Sequence, residues 1–219
     1  TTLPDRVDLY RRQGVTYQFV ERFEEPCPGL HGSYSNEGHT AFGCTDGVLV
    51  VSQQGEQFTA RKIGHPTDMP ENARIGTLAG HHALNVFAGL ASPGHLFVVD
   101  PDNATLTPVN WAEGRTRRAH GFDAHGEHFL MLDDQGDLHL IETATWTVRA
   151  RLRAIDVMPA AAPWPSLSFS QRDAIAYVSD PEGRAIVEIN LETAQISRRL
   201  PLDFKPLALT WLGIGEHAH

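Results

Sequence analysis

The stretch Phe129-Leu130-Met131-Leu132-Asp133-Asp134-Gln135-Gly136-Asp137-Leu138-His139-Leu140-Ile141 decides the fold. Two short apolar runs of strand length flank a polar turn that closes on a glycine, which is the pattern of a β-hairpin. Glycine suits that place because the turn needs positive φ, which glycine adopts at little cost. The same figure occurs three more times. Ala41 to Cys44, Thr45-Asp46-Gly47 and Val48 to Val51 form one copy. Asn85 to Ala88, Ser92-Pro93-Gly94 and Leu96 to Val99 form a second, and Ile175 to Val178, Pro181-Glu182-Gly183 and Ala185 to Ile189 a third. The turn glycines Gly47, Gly94, Gly136 and Gly183 stand 47, 42 and 47 residues apart.

Further strands flank each hairpin. Downstream lie Phe58 to Ile63, Thr105 to Val109, Val148 to Leu152 and Ile196 to Leu200. Upstream lie Leu30 to Ser35, Ile75 to Gly80, Arg118 to Asp123 and Ser166 to Ser170. Four strands in about 42–47 residues is the period of a β-propeller blade. The sequence therefore predicts an all-β chain, a single propeller domain over residues 1–219 with whole blades at 26–64, 74–112, 117–155 and 164–202. Arg6 to Arg11 and Thr16 to Phe23 read as the last two strands of a partial blade over 1–25, and Lys205 to Leu212 as the first strand of another over 203–219. Whole blades with partial ones at both ends predict part of a larger propeller of about seven or eight blades. Its remaining N-terminal half is then one expected partner. The rival is a β-sandwich with irregular loops, which the four-fold glycine register disfavours.

Composition removes several function classes. The chain has 219 residues, with 18 Lys+Arg against 27 Asp+Glu and a formal net charge of −9. That balance speaks against nucleic acid or an anionic membrane surface as a partner, since both need a basic face. Apolar runs such as Val48 to Val51 fall far short of the ~20 residues of a membrane span. There is no Gly-x-Ser-x-Gly, His-Glu-x-x-His, phosphate-cradling glycine loop or Cys-x-x-Cys. Nothing pairs a nucleophile with a base, so no enzyme is expected.

The two cysteines frame a segment that starts before the first strand of a blade and ends in its second. Neighbouring strands bring such sulfurs within bonding reach, and a persistent disulfide implies an oxidising compartment. Two buried free thiols, or a two-cysteine zinc site, are the alternatives. Among 12 histidines, His31 and His120 each lie sixteen residues before a turn glycine, and each is followed by a glycine. Innermost propeller strands line a central channel, so this register predicts that both imidazoles face it and supply part of a zinc site. The alternative is that backbone carbonyls satisfy both rings. His39 and His128 before second strands, and His95 and His139 on third strands, read as exposed sheet residues. His81-His82 follows a first strand, His65 and His125 fall in turns, and His217 and His219 in the tail could chelate a metal.

Taken in order, the segments Cys27-Pro28-Gly29-Leu30-His31-Gly32, Cys44, Asp46-Gly47-Val48-Leu49-Val50-Val51, Arg117-Arg118-Ala119-His120, Asp134-Gln135-Gly136-Asp137-Leu138-His139 and Lys205-Pro206-Leu207 resemble a known family. They look like the second half of the periplasmic zinc metallochaperones, β-propeller proteins that serve Azt-type zinc ABC importers. The resemblance implies a propeller, a disulfide between Cys27 and Cys44, a bacterial periplasmic location, and delivery of zinc to the importer's solute-binding protein. His31 and His120 are the zinc ligands expected. Two rivals come from other classes. A lactonase-like propeller hydrolase with a channel metal would need several oxygen ligands on innermost strands, where Asp123 is the one carboxylate. A metal-free interaction propeller is the other.

Overall fold

The computed structural model describes residues 3–67, 69–70 and 73–213, and among them every regular element is a β-strand. None is a helix long and apolar enough to cross a membrane. The chain divides into two compact units, Thr1–Val109 and Asn110–His219.

The first unit opens with a hairpin of β1 (Asp8–Gln13) and β2 (Thr16–Arg22), followed by two four-stranded sheets. One holds β3 (Ser33–Ser35), β4 (His39–Cys44), β5 (Gly47–Gln54) and β6 (Gln57–Gly64). The other holds β7 (Ile75–Ala79), β8 (Phe87–Ala91), β9 (His95–Asp100) and β10 (Thr105–Val109). In the second unit, β11 (Arg117–Phe122), β12 (His128–Asp133), β13 (Asp137–Glu142) and β14 (Thr147–Arg153) make one sheet. β15 (Leu167–Phe169), β16 (Ile175–Asp180), β17 (Ala185–Asn190) and β18 (Gln195–Pro201) make the other. Each sheet is an antiparallel meander whose strand order follows the chain, which is the blade unit the glycine spacing predicts.

Burial explains why the middle strands read as unbroken apolar runs. Every residue of β12 after His128 and every residue of β13 before Glu142 is buried. A strand covered on both faces has no need to alternate. Fourth strands face water and do alternate, as in the Arg149-Ala150-Arg151-Leu152-Arg153 run of β14. In the second unit Leu130, Leu132, Leu138 and Leu140 of one sheet pack with Val178, Val187 and Ile189 of the next. In the first unit Ala41, Val48 and Val50 pack with Ile75, Phe87 and Val99 in the same way.

Two sequence expectations need correction. Gly136 has φ +86°, but at the fourth turn the left-handed conformation falls on Arg184 (φ 50°) and not on Gly183. Gly183 instead sits close to Asp180: its N–H donates to Asp180 Oδ1 at 2.8 Å, and a side chain there would displace that carboxyl group. Lys205 to Leu212 is not a strand. A strand needs a partner ladder, and this segment instead runs beside Tyr177, Ile186 and Leu200, lining a groove of about 280 Å³. There the Leu209 N–H donates to Ser166 Oγ at 3.3 Å.

Candidate metal centre

The turn after each first strand opens on a capping side chain. Asn36 Oδ1 accepts the His39 N–H at 2.8 Å and Asp123 Oδ1 that of His128 at 3.2 Å. Ser170 Oγ accepts the Asp173 N–H at 2.9 Å, and His81 Nδ1 that of Ala83 at 3.2 Å. A short polar side chain here replaces a missing backbone partner. Three residues before these caps stand Ser33, Leu78, His120 and Leu167. His31 lies two residues further out, because only Glu37 and Gly38 separate Asn36 from His39, whereas Ala124 to Glu127 separate Asp123 from His128. The glycine count thus aligned two histidines that the hydrogen-bond register does not.

His31 precedes β3 and extends its ladder, donating its N–H to Gly43 O at 2.9 Å. Its Nδ1 donates to Gly76 O at 2.7 Å, which places the lone pair on the exposed Nε2. That is the tautomer a metal-ligating imidazole uses. The close approach depends on the next residue: Gly32 has φ +77°, and a Cβ there would lie 2.6 Å from Gly76 O.

His120 sits within β11 opposite Met131 and is half-buried. Arg117 Nη1 donates to its Nδ1 at 2.9 Å, so the ring's own proton is on Nε2. Burial, and then the Arg117 charge, push its pKa down to about 4. As pH falls from about 6.5 to about 4, the unfolded chain takes up a proton at this ring and the folded chain does not. Stability of the metal-free protein is therefore lost through that window. His120→Gln should flatten the fall, measured by urea unfolding at several pH values; an unchanged slope would show the imidazole to be freely solvated. Asp123 and Asp133 act lower, since their folded carboxyls lie below 3.8.

Asp123, Glu127 and His128 offer three ligand atoms within 4.8 Å of one another. This cluster was missed because His128 reads as a sheet residue; the Asp123-x-x-x-Glu127-His128 spacing across a turn was the available signal. Both ring nitrogens of His128 are occupied, however. Nδ1 donates to Asp123 Oδ2 at 2.9 Å, and Nε2 accepts from Arg149 Nη1 at 3.0 Å. Burial works to raise the Asp123 carboxyl, but its bonds from His128 outweigh that and hold it low. The cluster is a closed network rather than a vacant chelate.

The remaining histidines divide by burial. His139 is not exposed as the sequence suggests: it is 2% accessible, its Nε2 donates to Asp133 Oδ2 at 3.0 Å, and the Trp111 ring meets it edge-on at 5.0 Å. His39 is half-buried, with Nδ1 2.8 Å from Ser52 Oγ and Nε2 3.6 Å from Asp102 Oδ1. His125 is exposed in its turn, and His65 and His95 are half-buried. His217 and His219 lie outside the described residues. Cys27 and Cys44 form a disulfide, Cα–Cα 4.9 Å, with both residues fully buried.

No family model matches the chain. The zinc chaperone AztD of Citrobacter koseri is 22% identical over 197 residues, covering 88% of this chain and 46% of that protein. The crystal structure of Citrobacter koseri AztD matches with a TM-score of 0.83 at 20% identity, over 99% of this chain and 58% of that one. The chain is similar to AztD. The apo AztD structure from the same organism gives a TM-score of 0.76 at 21% identity, over 88% and 52% of the two chains. This chain thus spans about half the length of the relatives it matches. At these identities the AztD structures establish the fold, an all-β chain of four-stranded propeller blades, and the sequence likeness is to a zinc chaperone, as the ordered motifs imply.

Proposed function

We propose that this chain is part of a periplasmic zinc metallochaperone, a carrier rather than an enzyme. It would hand zinc to the solute-binding protein of an ABC importer, with the rest of a longer propeller completing it. The observation that carries this reading is the likeness to the zinc chaperone AztD along 88% of the chain. The buried disulfide supports an oxidising compartment. His31 and His120 are the proposed ligands. His31 presents a free Nε2 as it stands, whereas His120 must first lose its bond from Arg117. Imidazoles that can be surrendered one at a time suit a carrier better than a closed thiolate cage.

Zinc titration of the intact protein tests this. His31→Ala and His120→Ala should each weaken binding about tenfold or more, or about 1.4 kcal/mol. His139→Ala, after correction for its effect on folding, should leave zinc affinity unchanged. Wild-type affinity in both of the first two variants would overturn the ligand assignment.

A further inference from the structure

We propose that Arg117 and Arg118 form a binding site for a carboxylate, and that filling it draws Arg117 off His120. The second half rests on the reading of His120 as a zinc ligand. The first half stands on the two arginines alone.

Most neighbouring arginines of the second unit have acidic partners. Arg151 and Arg153 both bond Asp137, Arg198 bonds Glu188, and Arg115 and Arg199 lie 3.8 and 3.7 Å from Asp133 and Asp180. Arg117 has none among the described residues. It is half-buried. Its Nε is buried and finds no acceptor. The Nε of Arg118 is in the same state, while its guanidinium carbon lies 5.6 Å from the centroid of the Trp164 ring. A shift in strand register between Arg117 and Ala119 leaves Arg118 without a ladder partner. Arg117 and Arg118 are adjacent in sequence, each with an Nε that has no acceptor, in a chain of net charge −9, and a guanidinium in that state is matched by an anion. The planar fork of a guanidinium fits a carboxylate through paired hydrogen bonds, and Trp164, 54% exposed, supplies an apolar wall for the carbon chain that bears it.

The consequence for His120 follows from proton placement. While Arg117 Nη1 donates to Nδ1, the ring carries its proton on Nε2, and neither nitrogen has a lone pair for a metal. A carboxylate is a stronger acceptor for a guanidinium than a neutral imidazole is. Once it takes over the Arg117 donors, Nδ1 is free.

The test uses the intact, metal-free protein at pH 7, titrated calorimetrically with succinate at constant ionic strength. Wild type and His120→Gln should bind succinate, whereas Arg117→Gln should bind it at least about tenfold more weakly. Arg117→Lys keeps the charge without the fork and should also bind weakly, and its melting curve guards against a folding defect. Equal succinate binding by wild type and both Arg117 variants overturns the proposal. In a second titration, succinate should tighten zinc binding in wild type and leave that of Arg117→Gln unchanged. If succinate binding needs Arg117 but His120→Gln leaves zinc affinity intact, the carboxylate site stands, and the coupling and the ligand role of His120 both fail. A glutamate-containing tetrapeptide separates two sources of the carboxylate. Tighter binding than succinate assigns the site to an acidic side chain of another protein, and weaker binding assigns it to a small free acid.

Discussion

Asp133→Ala should destabilise the protein by about 3–5 kcal/mol, because it leaves three donors in a buried turn without their acceptor. Asp133 is fully buried at the end of β12, and its two oxygens serve three donors. Oδ1 accepts the N–H groups of Gln135 and Asp137, each at 2.9 Å, and so shapes the turn into β13. Oδ2 accepts His139 Nε2 at 3.0 Å. Burial alone would raise this carboxyl, yet His139 and the turn N–H groups hold it below the usual range. Removing it strands a buried imidazole and two backbone donors together, and each unsatisfied group costs about 1–3 kcal/mol. Asp133→Asn should cost less, because the amide oxygen can still serve the turn and His139 can exchange tautomers to accept from the amide. Chemical denaturation of the three proteins measures the order. A loss under about 1 kcal/mol for Asp133→Ala would mean that water replaces the carboxylate and the network is not structural.

That network shows where sequence reading stops. Pattern and period carried the sheets, because hairpin turns and strand-length apolar runs are local properties of Phe129 to Ile141 and its three copies. The Cys27–Cys44 bridge was within reach for the same reason, its sulfurs lying on neighbouring segments of one blade. Side-chain environment is not local. His139 looks like any polar residue on a strand until Asp133 and Trp111 close around it. His31 and His120 share a distance to a glycine, but a turn two residues shorter in the first blade gives them different register positions. Arg117 stands in the sequence only as part of the Arg117-Arg118-Ala119-His120 run, and the fold is what shows that it points at His120. Lys205 to Leu212 has strand-like composition, but propensity alone does not make a strand without a partner.

Loss of the disulfide should lower stability by about 3 kcal/mol in the chain-entropy model for a loop of this length. For a chain of this size that corresponds to roughly 6–12 °C in melting temperature. The sequence separation of the two cysteines is 17 residues, and the closed loop is the one that carries His31. Its backbone is tied at several points: Cys27 N–H to Asp5 O at 2.8 Å, Leu30 N–H to Pro4 O at 2.9 Å, and Thr45 N–H to Pro28 O at 2.8 Å. The disulfide anchors this loop to the end of β4, one residue from the Gly43 carbonyl that receives the His31 N–H. Opening it releases the constraint on the unfolded chain and also loosens the backbone that holds the His31 ring against Gly76. Cys27→Ala/Cys44→Ala should therefore melt earlier and, in the proposed zinc site, bind zinc more weakly at temperatures where it remains folded. His31→Ala added to that double variant should then change zinc affinity less than it does in wild type, since both act through one ring. Thermal unfolding and zinc titration of the four proteins decide the matter. Fully additive losses of zinc affinity would mean that the bridge stabilises the blade without positioning the histidine.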